Sequence, residues 1–125
     1  MAELTQQALE AAKKSLASTI RKNKKARETL SQKQPPRLAQ MEMIARNLAN
    51  LEVMLTLVEQ QLDGSGGSPA RPSLEAARQA IPAYIGQIEK VLPKFAPGTP
   101  QHTLAVRRID AYHLADMLLE RALHP

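Results

Sequence analysis

The 125-residue chain contains no cysteine and very few aromatic residues. Without cysteine it can form no disulfide, no thiolate-based zinc site, no iron–sulfur cluster and no cysteine nucleophile. Its only aromatic residues are Tyr84, Phe95 and Tyr112. So few aromatic side chains disfavour a β-sandwich core, an RNA-recognition fold and the stacking platforms that bind single-stranded nucleic acid. We therefore expect an aliphatic core.

Long apolar runs and the common catalytic motifs are missing as well. No stretch approaches 18 consecutive apolar residues, so we expect no transmembrane segment. The N-terminal segment carries Glu3 and Glu10 and lacks the apolar run of a signal peptide, so we expect a cytoplasmic location. Neither a Gly-x-Ser-x-Gly elbow nor a P-loop is present. The sequence therefore predicts no enzyme activity, no catalytic residue and no cofactor.

Helical periodicity accounts for the first half of the chain. A narrow apolar stripe begins at Thr5 and continues to Ile20 before Pro35 and Pro36 end the first helix. The second helix is expected to start at this proline pair. Its apolar residues alternate three and four apart, as in a coiled-coil seam: Met41, Ile44, Leu48, Leu51, Leu55, Val58 and Leu62.

Two further helices follow a connector, residues 63–72, that is rich in glycine, serine and proline. Ser73 is expected to cap the third helix, and Thr99 the fourth, with Pro100 at its first position. The fourth helix is expected to bury Leu104, Ala111, Ala115, Leu118, Leu119 and Ala122. The chain is thus predicted to be one all-α domain, an up-down-up-down four-helix bundle made of two hairpins, about 3–62 and 73–124.

The basic stretch of the first helix is the first candidate site. Residues 1–37 hold nine Lys/Arg against three Glu, whereas residues 38–125 hold eight against nine acidic residues. Clustered cations suit the phosphates of a polyanion, and the candidates are Lys14, Arg21, Lys22, Lys24, Lys25 and Arg27. A solvated helix surface is the interpretation we favour, with a polyanion patch as the first alternative and an anionic membrane surface as the second.

The start of the fourth helix is the second candidate. Free backbone N–H groups and the helix dipole favour an anion there, and the candidates are Thr99, His102, Thr103, Arg107 and Arg108. An ordinary helix cap with two solvated arginines is the favoured alternative. On the same helix His113, Asp116 and Glu120 share a side, but no other helix offers a Glu-x-x-His pair. We therefore expect no metal site.

The second helix suggests a function, because it is apolar on more than one side. The apolar residues off its seam are Met43, Val53, Met54 and Leu57, and an exposed remainder of them would form an interface. The leading hypothesis is therefore a non-enzymatic bundle that binds protein, first of all itself, as a homodimer. The alternative is sequence-non-specific binding of nucleic acid through residues 13–37.

Overall fold

The computed structural model describes residues 4–125, and in that range the chain forms four α-helices and no β-strand. The helices are α1 (Gln6–Ser31), α2 (Leu38–Asp63), α3 (Arg71–Val91) and α4 (Pro100–Leu123). A short 3₁₀ helix, Leu92–Lys94, follows α3. No helix in this range is both long enough and apolar enough to cross a bilayer. The all-α four-helix prediction is confirmed.

Local signals fix the helix ends, although not all of them where the sequence predicts. Thr99 caps α4 as expected, with Pro100 in the first turn. Thr5 is not part of the buried stripe; its hydroxyl caps α1 by accepting from the N–H of Ala8 at 3.0 Å. The expected cap at Ser73 is wrong, because α3 begins three residues earlier, with Ala70 at the N-cap position.

The two connectors between α1 and α3 differ from the prediction in their bounds. Helix α2 starts at Leu38, so the proline pair lies before it rather than in its first turn. The connector to α3 is residues 64–70, and Gly64 ends α2 with a φ of 74°, a conformation that suits glycine. The Ser65 side chain lowers the pKa of Asp63, and so does the Ser65 backbone N–H, which the Asp63 carboxylate accepts at 2.8 Å.

All four helices contribute to one hydrophobic core. Helix α1 packs on α2 and α4, α3 packs on α4 and α2, and α2 also meets α4 across the bundle. Partners along α3 and α4 occur in opposite order, because Arg71 pairs with Leu123 and Tyr84 with Tyr112, so these two helices are antiparallel. The up-down-up-down order of all four stays a prediction.

The buried side chains of the core come mainly from the seam predicted for α2 and from the stripes of the other helices. They are Leu9, Ala12, Leu16, Ile20, Ile44, Leu48, Leu51, Met54, Leu57, Val58, Leu74, Ala77, Ile81, Ala111, Tyr112, Leu114, Ala115, Leu118, Leu119 and Leu123. Two predicted members of the α4 stripe are wrong, since Leu104 and Ala122 are exposed. Tyr112 and Leu114 take part instead.

Candidate functional site: a basic hairpin tip and an inter-helix cavity

The sealed part of the core stops well before the turn between α1 and α2. No side chain is buried between Ile20 on α1 and Ile44 on α2. Residues 21–43, which we call the tip, therefore form the end of a helical hairpin that contains no buried side chain. Only Asn23, Leu30 and Met41 in the tip are half-buried.

The row of α1 side chains that points towards the core changes character inside the tip. After Leu16 and Ile20 the same side of the helix carries Asn23 and then Arg27. Asn23 is half-buried, and its amide donates to the carbonyl of Thr19 at 2.9 Å. Arg27 is exposed. The amide and the guanidinium interrupt the interior row, so burial is complete only up to Ile20, and beyond them only the half-buried Leu30 of α1 packs against the core.

The six polyanion candidates are all exposed on α1. Within residues 4–125 none of the six forms an ion pair closer than 4 Å, whereas the neighbouring Lys13 reaches Glu59 at 3.9 Å. Five of them lie in the tip; Lys14 lies seven residues before Arg21, about 10 Å away along the helix axis. The structure therefore brings together five of the six and leaves Lys14 apart.

The tip also holds the whole net charge of the protein. Residues 21–43 contain seven Lys/Arg and two Glu, a formal charge of +5. The remainder of the chain contains ten Lys/Arg and ten Asp/Glu and is formally neutral. The excess of positive over negative charge therefore lies in the part of the molecule that has no sealed core.

The four interface candidates on α2 do not form one surface. Met54 is 0% exposed and Leu57 is 6% exposed, so both belong to the core of the monomer and neither can contact a partner. This part of the prediction is wrong because α2 lies at the centre of the bundle and packs against three helices. Val53 is half-buried, and Met43, in the tip, is 50% exposed.

The five anion candidates at the start of α4 are not assembled into one site either. The Thr99 hydroxyl accepts the N–H of His102 at 3.3 Å and donates to the carbonyl of Ala96 at 2.7 Å. The N–H of Thr103 is bonded to the carbonyl of Thr99 at 3.0 Å. Since Pro100 has no N–H, the cap already uses most of the donors that an anion would need.

The two arginines of that candidate site line different cavities. Arg107 borders an alanine-lined groove of about 650 Å³ between α1 and α4. Arg108 borders a smaller cavity of about 190 Å³ to which all four helices contribute. Adjacent residues point about 100° apart around a helix, so the two guanidinium groups cannot share a ligand within either cavity.

The acidic side of α4 is occupied by an arginine from α3. Arg78 lies 3.5 Å from the carboxylate of Asp116 and also pairs with Glu120. Within residues 4–125 no group of three or more histidine and carboxylate side chains is placed to hold a metal ion. The two carboxylates therefore stabilise the packing of α3 on α4.

The small cavity contains polar residues that belong to none of the candidate sites predicted from the sequence. Its lining consists of Thr19, Asn23, Asn47, Leu51, Tyr84, Gln87, Ile88, Arg108 and Tyr112. The sequence does contain a signal for this cavity, because Asn23 and Asn47 interrupt the apolar sides of two neighbouring helices.

Comparison of the chain with models of protein families, with curated proteins and with solved structures finds no match in any of the three.

Proposed function

We propose that this protein is a non-catalytic binding module that holds the phosphate backbone of a nucleic acid against its basic tip, without reading the base sequence. The observation that carries the proposal is the location of the whole +5 formal charge in residues 21–43. The cations there are exposed and, among the described residues, have no acidic partner within 4 Å.

The spacing of charge along the tip supports a phosphate ligand. Residues 21–27 carry five cations and extend about 9 Å along the helix axis. Duplex DNA carries one negative charge for every 1.7 Å or so, so the same length of duplex presents about five charges. The linear charge densities of the two surfaces are therefore similar, and binding would release condensed counterions from the duplex.

The composition of the tip favours recognition of the backbone over recognition of bases. Three of the five cations in residues 21–27 are lysines, which contact phosphate as point charges rather than as planar forks. No aromatic residue lies in the tip, so base stacking cannot contribute. We therefore expect similar affinities for duplexes of unrelated sequence.

The experiment compares two variants that have the same net charge. One replaces four tip cations: R21Q, K22Q, K24Q and K25Q. Its matched control replaces four exposed cations outside the tip: K90Q, K94Q, R107Q and R121Q. Each variant has a formal charge of +1 in place of +5. Binding to a short fluorescent duplex is measured by anisotropy at several salt concentrations.

We expect the tip variant to lose affinity and salt dependence together. Each phosphate contact contributes about −0.9 to the slope of log K against log salt, so removing up to four contacts flattens the slope by about 3 to 4. The control variant keeps the wild-type slope. Equal slopes in the two variants would show that net charge, rather than the tip, governs binding, and would contradict the proposal.

Self-association through the tip is a second candidate, because two large apolar side chains are exposed there. Leu38 is 67% exposed and Met43 is 50% exposed. Two tips of charge +5 repel each other, so salt should strengthen a dimer while it weakens nucleic-acid binding. Sedimentation velocity at low and high salt separates the two functions. A monomer at both salt concentrations would remove this second candidate.

A further inference from the structure

The small cavity lies where the sealed core ends and the tip begins. Its lining comes from all four helices, at the level of Asn23 on α1, Asn47 on α2, Tyr84 on α3 and Arg108 on α4. None of its nine lining residues is acidic, and one of them is an arginine. The cavity is therefore polar and positively charged, in contrast to the apolar core beneath it.

Hydrogen bonds inside the cavity leave donors free. The Tyr84 hydroxyl donates to the Asn47 side-chain carbonyl at 2.8 Å and accepts from the Asn50 amide at 3.1 Å. The carbonyl of Asn47 is thereby used, while its amide makes no hydrogen bond within residues 4–125. The Tyr84 ring, in turn, packs on Tyr112 with 5.5 Å between ring centroids.

Arg108 and Tyr112 add a charge and a further donor. Arg108 is half-buried and has no carboxylate within 4 Å among the described residues. Tyr112 is only 6% exposed, yet its hydroxyl has no hydrogen-bond partner among residues 4–125. Every fully enclosed side-chain oxygen or nitrogen in the described residues has a hydrogen-bond partner. Because the Tyr112 hydroxyl has none, it is not fully enclosed, and we infer that solvent reaches it from the cavity.

We propose that this cavity binds a small oxyanion, the carboxylate of an organic acid or a phosphate. Arg108 supplies the counter-charge, and the Asn47 amide and the Tyr112 hydroxyl supply additional donors. A guanidinium suits both ligands because it presents parallel N–H groups to two oxygens. The cavity volume of about 190 Å³ is large enough for several water molecules and so for a ligand of this size.

A bound oxyanion would also give Arg108 an ion-pair partner. Arg108 has no carboxylate within 4 Å among the described residues, so a bound oxyanion would be the opposite charge that this guanidinium lacks. The cavity shares Asn23 with the tip, but its charge comes from Arg108 on α4, and none of the five cations of residues 21–27 lines it. The inference therefore does not depend on nucleic-acid binding.

The two tyrosines of the chain provide a direct assay. Tyr84 and Tyr112 both line the cavity, and the chain has no tryptophan, so tyrosine fluorescence reports on this site alone. The full-length protein is titrated separately with inorganic phosphate, acetate and succinate at constant ionic strength, with chloride as the reference. We expect a saturable change for at least one of these probes, and its identity distinguishes a phosphate site from a carboxylate site.

A pair of adjacent arginines supplies the matched control. R108Q should weaken binding on the order of tenfold to a hundredfold, since it removes a charge-assisted hydrogen bond. R107Q makes the same change in charge on the groove side of α4 and should bind like the wild type. The R21Q/K22Q/K24Q/K25Q variant should also bind like the wild type, even if it no longer binds nucleic acid.

The proposal is overturned if none of the probes gives a saturable signal, or if R108Q and R107Q bind equally well. Circular dichroism establishes that each variant is folded. If R108Q does not fold, Y112F replaces it, because phenylalanine keeps the buried ring and removes only the hydroxyl. Unchanged affinity in Y112F, followed by the remaining tyrosine, would then contradict the role of that donor and the proposed site with it.

Discussion

Two methionines on α2 provide the most direct test of where the core ends. Met54 is 0% exposed and Met43 is 50% exposed. Methionine to alanine removes three heavy atoms; at about 0.8 kcal/mol each, M54A loses about 2 kcal/mol of transfer free energy. The cavity left behind brings the expected loss to between about 2 and 5 kcal/mol. M43A makes the same chemical change and should alter stability by less than about 0.5 kcal/mol.

Urea denaturation followed by circular dichroism at 222 nm measures both values. In a thermal melt of a chain of this length, a loss of 3 kcal/mol would appear as a fall of about 10 °C in Tm. The measurement is repeated at two protein concentrations tenfold apart, because a residue in a dimer interface would give a concentration-dependent loss. Equal losses for M43A and M54A, or a loss for M54A that disappears on dilution, would refute the assignment of Met54 to the monomer core.

Two further predictions concern the region around the cavity. Burial raises the pKa of Tyr112 to about 12, with Tyr84 adding to the shift and Arg108 opposing it. The pKa of Tyr112 in the folded state exceeds its value in the unfolded chain, which is near 10. The contribution of the neutral Tyr112 to the free energy of unfolding is therefore fully present below pH 10. We expect it to fall by on the order of 2 kcal/mol as the pH approaches 12. Urea titrations of wild type and Y112F across this range measure the effect, and parallel curves would contradict it. Gly86 lies inside α3, and nothing lies within 4 Å of the position of an added Cβ. G86A should therefore raise the free energy of unfolding by about 0.5 to 1 kcal/mol in the same assay, and a decrease would show that the helix is strained there.

Local sequence signals account for most of the architecture. The cap at Thr99 and the burial of four predicted seam residues of α2 depend on neighbours in sequence, so capping chemistry and periodicity predict them: Ile44, Leu48, Leu51 and Val58. Burial of Met54 and Leu57 depends on how many helices surround α2, which periodicity does not contain. The predicted interface therefore includes both residues wrongly, because they lie in the core.

The candidate sites were less predictable because they depend on what lies across the bundle. The sequence shows that Arg107 and Arg108 point in different directions, but not that one borders a groove and the other a four-helix cavity. The pairing of Tyr84 with Asn47 joins residues 37 positions apart. Such a contact follows from the register between two helices, and no pattern within either helix specifies that register.

The lack of buried side chains between Ile20 and Ile44 makes the turn between α1 and α2 a practical place to engineer. New chain ends, an epitope or a whole inserted domain could be placed among residues 32–37 without removing any atom from the hydrophobic core. Circular permutation there would leave all five cations of residues 21–27 on the free end of α1, no longer joined directly to α2.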